Sequence, residues 1–194
     1  MVDGERIDGA WCHIWRRCRP DSEYYLDDLI VFADGAITCG ERTDLLRNDF
    51  PAQIVFAGES YASVLHGYWA LSAADASDRS RIRSDRSRIR DAASGREAHD
   101  LGGQATHRSD WPNVRLAVMA ELLRVKFTQH PELAQVLVST GDARISYTGL
   151  SDSPFWRDVP DGRGRNWMGR LLELTRSELV AQQLLRPENP SGLK

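Results

Sequence analysis

The sequence predicts an α+β fold in which helices dominate. Strand signals cluster in the first sixty residues, and helical periodicity governs most of the chain beyond them. Glycines, prolines and capping residues punctuate the later helices. With 194 residues and 41% hydrophobic composition, the chain can bury the core of one ordinary domain plus a small appendage.

Taken in order, EYYLDDLIVFADGAITCGE reads as a strand from about Tyr24 to Phe32. A turn on Asp34-Gly35 and a returning strand through Cys39 follow, because Asp-Gly is a strong hairpin signal. QIVFAG is a further short strand ending in a turn at Gly58-Glu59. SYASVLHGYWALSAAD is helical, with Val64, Tyr68 and Leu71 on one face. SGREAHDLGG forms a short helix expected to stop at Gly102-Gly103. The longest helix opens at RSDWP, with Asp110 as N-cap and Pro112 tolerated in the first turn. It is apolar around much of its circumference and so should be largely buried. His130-Pro131 ends it and starts the helix PELAQVLVST, which Gly141 closes. ARISYTG reads as a strand, SDSPFWRDVPDGRGR as a long loop, and NWMGRLLELTRSELVAQQLL as a last amphipathic helix capped by Asn166.

SDRSRIR occurs twice in succession, as residues 77–83 and 84–90, and nothing else recurs at that period. The pair carries six arginines and two aspartates, a local +4 within a chain of net charge -3. Such a run is either a solvated helix face or a contact for nucleic-acid phosphates. Seven residues turn a helix by nearly two full turns, so a second heptad keeps Ile82 and Ile89 on one face. The repeat is therefore expected to extend a helix.

Three cysteines, Cys12, Cys18 and Cys39, make a poor disulfide framework and contain no C-x-x-C pair, so reduced thiols and no metal or cofactor are expected. MVDGERIDGAW lacks a basic region followed by an apolar run, and no segment has the length of a membrane span. A cytoplasmic protein with no membrane partner is expected.

DGRGRN places two glycines, two arginines and an Asn at a helix start, where outward N–H groups favour an anion such as a pyrophosphate. A plain chain reversal explains the same residues. Trp111, Trp156 and Trp167 flank these segments and would stack on a base or fill the core. Arg115, Met119, Leu122 and Lys126 fall on one side of the long helix, so its two cations could face one surface or be snorkelling stems; Arg124 lies off that line.

RSDWPNVRLAVMAELLRVKFTQHPELAQVLVSTGDARI, then FW, then GRGRNWMGRLLELTRSEL, closely resembles the NADAR (YbiA-like) family. Shared are an R-x-D-W entry, an L-R-x-K-F-x-Q-x-P-x-L core, an L-x-T-G corner and a G-x-N-x-x-G helix start. RNDFPAQIVFAGESYASVLHGYWAL stands where the family has SNFYP and S-V-E-H-Y-F-Q-A, so the match runs from about Asn48 to Leu185. The implied layout is an N-terminal extension over residues 1–45, a NADAR-like domain over 46–186 and a tail over 187–194.

The resemblance implies a ligand of ADP-ribose or phosphoribosyl type and an N-glycosidase-like activity. Some members of the family hydrolyse phosphoribosylamino intermediates of riboflavin synthesis, and others remove ADP-ribose from guanine in DNA, so ADP-ribosylated nucleic acid is a further implied partner. Cleavage of a ribose–nitrogen bond passes through an oxocarbenium-like state that a carboxylate stabilises. Here Leu65 stands at the family's glutamate, Ser72 at its lysine and Tyr147 at a second acidic position. Retained are Arg108, Trp111, Lys126, Asp152, Trp156, Gly164, Asn166 and Gly169; Arg165 joins them as a ligand-binding residue within DGRGRN. Asp152 and Tyr147 are the residues left to handle charge or water. Two readings follow: a hydrolase with relocated chemistry, or a nucleotide-binding module that has lost it. A purely structural protein would leave DGRGRN unexplained.

Overall fold

The computed structural model describes residues 30–33, 44–74, 84–147, 153–159 and 163–185. Their elements are strands β1 (Ile30–Ala33), β2 (Ile54–Phe56), β3 (Glu59–Tyr61) and β4 (Arg144–Tyr147), and helices α1 (Val64–Ser72), α2 (Asp85–Arg90), α3 (Gly95–Gln104), α4 (Trp111–Gln129), α5 (Pro131–Ser139) and α6 (Trp167–Leu185). Helices dominate and the strands form two small antiparallel pairs, so the fold is α+β.

β1 pairs with β4, Ile30 opposite Tyr147 and Ala33 opposite Arg144. The segment that precedes the NADAR-like motifs thus supplies a strand to them. The returning arm expected through Cys39, like all three cysteines, lies outside the described residues. β2 and β3 form a hairpin that the sequence reading leaves as a strand and a turn. Its central residues Ala57 and Gly58 both have positive φ, 52° and 80°, as a type I′ turn requires. Ala57 carries a Cβ in a backbone region that glycine or asparagine would occupy more cheaply, which is why the residue pair gave little hairpin signal.

α4 is the central element, packing against α1, α5, α6 and β2. Leu122, Leu123, Phe127 and Met119 are fully buried on it. Removing each such side chain from water is worth about 1.5–3 kcal/mol. The crossing with α1 is tight: a Cβ on Gly67 would lie 3.0 Å from Leu122 Cδ2. At the start of α4, Asp110 occupies the N-cap position without a side-chain cap bond, because Arg108 holds its carboxylate through Nε and Nη2 at 2.5 and 2.7 Å.

α3 runs through Gly102 and Gly103 to Gln104 instead of stopping at them. Gly102 is a packing residue: a Cβ there would sit 2.6 Å from the Trp69 ring. Ser94 caps this helix by accepting the Glu97 N–H at 3.2 Å, and Glu97 reaches back to the Ala93 N–H at 2.7 Å.

Ser84, the first residue of the second copy, is extended (φ −65°, ψ 152°) and accepts the Ser87 N–H, so α2 starts within the second copy. The first copy lies outside the described residues. Ile89 is fully buried, and Arg86 and Arg90 reach Glu59 on β3 at 3.1 and 3.9 Å. Tyr61 and Arg86 hold the Glu59 carboxyl below its ordinary pKa. The second heptad therefore docks α2 on the β2–β3 hairpin.

Candidate functional site

A cavity of about 270 Å³ opens between α1, α3, α4 and the segment before α6. Its walls are aromatic. Tyr68 of α1 sits at the centre, 4.9 Å from the Trp111 ring, 5.6 Å from Trp156 and 5.3 Å from Trp69, centroid to centroid. Trp69 is flanked by His99 and His107 at 5.2 and 5.8 Å. Asn48, Arg115, Met119, Ser153 and Leu65 complete the wall. The position at which the resemblance places a glutamate is thus a cavity-lining leucine, and no aspartate or glutamate lines the cavity among the described residues.

Of the residues singled out from sequence, Trp111, Arg115, Met119 and Trp156 meet at this cavity. Tyr147 lies behind it: its O–H donates to Asn48 Oδ1 at 3.2 Å, so it steadies a wall residue. Arg108 is half-exposed and tied to Asp110, away from the lining. Asp152 lies outside the described residues.

Lys126 and Arg115 do not share a surface. Arg115 reaches the cavity, whereas Lys126 is fully buried and donates to the carbonyls of Leu45 and Arg47 at 2.8 and 2.6 Å. Burial, with Arg47 adding to it and Asp49 opposing, lowers the Lys126 pKa to about 7. This amine pins the segment that delivers Asn48. Arg124, which lies off the line of Arg115 and Lys126, is paired with Glu178 and Glu121.

The DGRGRN segment is organised differently from the expected anion cradle. The N–H groups of Arg165, Asn166, Trp167 and Met168 donate to the carbonyls of Pro154, Arg157, Phe155 and Trp156 at 2.8–3.3 Å. Those backbone donors are already used. Asn166 does not cap α6 with its side chain. It adopts φ 50°, and its amide spans β4, accepting the Tyr147 N–H at 3.0 Å and donating to the Ile145 carbonyl at 2.7 Å. Gly164 and Gly169 are close-packing residues: a Cβ would come 2.5 Å from the Arg157 oxygen and 2.0 Å from the Ile145 oxygen, respectively. Arg165 is exposed, and its guanidinium lies 5.9 Å from the Phe155 centroid.

Sequence reasoning missed Trp69, His99, His107 and Asn48 as wall residues. Only Arg115, one helical turn after Trp111, carried a usable signal. His66 is buried with Nδ1 2.7 Å from Ser63 Oγ, and burial lowers its pKa. No three His, Cys, Asp or Glu side chains gather as a metal site among the described residues. No described helix is long and apolar enough to cross a membrane.

The fold and cavity define a helix-rich α+β protein with an aromatic pocket built where α1 and α4 meet the entry to α6. The chain belongs to the NADAR domain family, whose model matches residues 40–180. A domain of unknown function (DUF7638) matches residues 1–58. The chain is 36% identical over 141 residues to a riboflavin biosynthesis protein of Vibrio vulnificus, covering 72% of this chain and 36% of that protein. It is 36% identical over 76 residues to the N-glycosidase YbiA of Escherichia coli, covering 39% of this chain and 47% of that one. The NMR structure of the E. coli protein YbiA superposes with a TM-score of 0.64 at 26% identity, covering 75% of this chain and 83% of that chain. These matches span less than half the length of the two curated relatives.

Proposed function

We propose that this chain is an N-glycosidase-like protein that takes an N-linked ribosyl nucleotide, of phosphoribosyl or ADP-ribosyl type, into the cavity and hydrolyses its ribose–nitrogen bond. The observation that carries this reading is the aromatic cavity with Arg115 in its wall, in a family whose relatives are named N-glycosidase and riboflavin biosynthesis protein. Flat indole and phenol faces suit a base. A volume of about 270 Å³ is at the small end for ligand sites and suits a ribose with its base better than a whole dinucleotide.

Leu65 supplies no charge, and Asp152, next to the wall residue Ser153, is the nearest carboxylate in sequence that the family resemblance also marks. We assign to it the stabilisation of the oxocarbenium-like state or the placement of water. The apolar wall at Leu65 favours a second reading, a module that binds the same nucleotides without cleaving them.

Incubating the full chain with ADP-ribosylated guanosine DNA, NAD and a phosphoribosylamine, and following released base and sugar by mass spectrometry, separates the two. Turnover that Asp152→Asn abolishes, with affinity kept within a few-fold, supports the hydrolase. Calorimetric binding without any turnover establishes the module, and neither binding nor turnover removes the cavity from consideration.

A further inference from the structure

Phe155 carries two guanidinium groups over one ring. Arg115 Cζ lies 3.9 Å and Arg165 Cζ 5.9 Å from its centroid. Arg115 comes from α4 and lines the cavity; Arg165 comes from the segment that enters α6. Several other described arginines are paired with carboxylates, Arg86 with Glu59, Arg108 with Asp110, Arg124 with Glu178 and Arg144 with Asp158, while Arg170 lies over Trp167 and Arg176 bonds Thr140 and the Ala143 carbonyl. Among the described residues, Arg115 and Arg165 meet no carboxylate at all. Arg115 Nε is buried without an acceptor, and so is Trp69 Nε1 in the wall of the same cavity.

Buried donors without acceptors are uncommon and ask for a partner. The ring holds the two planar forks by cation–π contact without neutralising either. The N–H groups of residues 165–168 are spent on the carbonyls of residues 154–157, which leaves the arginine side chains as the main donors for an anion arriving here.

We propose that Arg115 and Arg165 form a phosphate-binding subsite at the rim of the cavity, with Phe155 as the plate on which both guanidinium groups lie. The ligand class is a nucleotide whose sugar and base occupy the cavity and whose phosphate passes Phe155. Arginine suits this task because its fork takes two phosphate oxygens at once. The proposal rests on reading the cavity as a nucleotide site.

The test is calorimetry on the full chain with adenosine, ribose 5-phosphate and ADP-ribose, for the wild type, Arg115→Gln, Arg165→Gln and Arg115→Lys. The wild type is expected to bind both phosphate-bearing ligands more tightly than adenosine. Each Gln variant should weaken them by about 10- to 100-fold and weaken adenosine by much less, since a charge-assisted hydrogen bond is worth about that factor. Arg115→Lys, which keeps the charge and loses the fork, should fall between. Should Arg115→Gln fail to fold by circular dichroism, Arg165→Gln decides the matter alone. Folded variants that bind ADP-ribose as the wild type does would overturn the subsite, as would an equal loss for adenosine. A wild type that binds all three ligands alike removes the subsite and leaves the cavity reading standing. One that binds none removes both.

Discussion

Asn166 ties both ends of its side-chain amide to β4, accepting the Tyr147 N–H and donating to the Ile145 carbonyl from a left-handed backbone conformation. The two bonds fasten the start of α6 to the one strand that β1 also pairs with. They also explain Gly169, since any Cβ there would collide with the Ile145 oxygen and the Asn166 amide.

Asn166→Ala should cost about 2–4 kcal/mol, because it strands a buried N–H and a buried carbonyl and places alanine at positive φ. Urea unfolding measures this. A loss below 1 kcal/mol would mean that water replaces the amide at no cost.

Lys126 makes stability depend on pH. Its folded pKa, about 7, lies below the ordinary lysine value of 10.5, so between these values the unfolded chain holds more protons than the folded one. Stability therefore rises with pH across that window. Below about 7 the amine is charged in both states and its burial penalty is fully present; above 10.5 it is neutral in both. The rise is on the order of 5 kcal/mol. Lys126→Met, which carries no titrating amine, should lack this rise, and denaturation curves at pH 7, 8 and 9 for both proteins compare the slopes. Parallel slopes would show that the amine is solvated in the folded state.

Gly102→Ala pushes on the Trp69 ring, which sits 2.6 Å from the new Cβ. Overpacking of this kind costs about 1–3 kcal/mol, and here it also displaces a wall of the cavity. Reduced stability should be accompanied by altered tryptophan fluorescence and weaker nucleotide binding. Loss of stability with unchanged affinity would detach Trp69 from the ligand.

Leu65→Glu returns a carboxylate to the cavity wall. Its apolar surroundings should raise its pKa, so any gain in turnover should grow as pH rises through that value and the group ionises. About a 10- to 100-fold gain in kcat is expected for a group that stabilises developing positive charge. A folded variant with unchanged turnover at every pH from 6 to 9 would place the reacting bond away from residue 65.

Helix positions were the most legible part of the chain. Pro112, Pro131 and Gly141 set boundaries that the structure reproduces, because each acts on the backbone within a turn. Reading failed where a local signal had a distant competitor. Gly102 looked like a helix stop, yet the Trp69 ring needs the space its missing side chain leaves. Asn166 looked like a cap, yet its amide finds two partners on a strand some twenty residues earlier. The repeated heptad suggested one longer helix, whereas Ser84 caps α2 within the second copy and the arginines turn to Glu59.

By itself the sequence determined the α+β class, the order of most elements and, through spaced motifs, membership of the NADAR domain family. These follow from periodicity, turn chemistry and residue identity, all of which are local. Only the tertiary structure decided which side chains share a site. Tyr147 meets Asn48 across 99 residues, and Lys126 reaches Leu45 across 81. Tyr68, Trp69, Trp111 and Trp156 come from three separate segments to wall one cavity. Packing set these meetings: α4 crosses α1 at Gly67, and the entry to α6 is fastened to β4, which together bring the two arginines over Phe155.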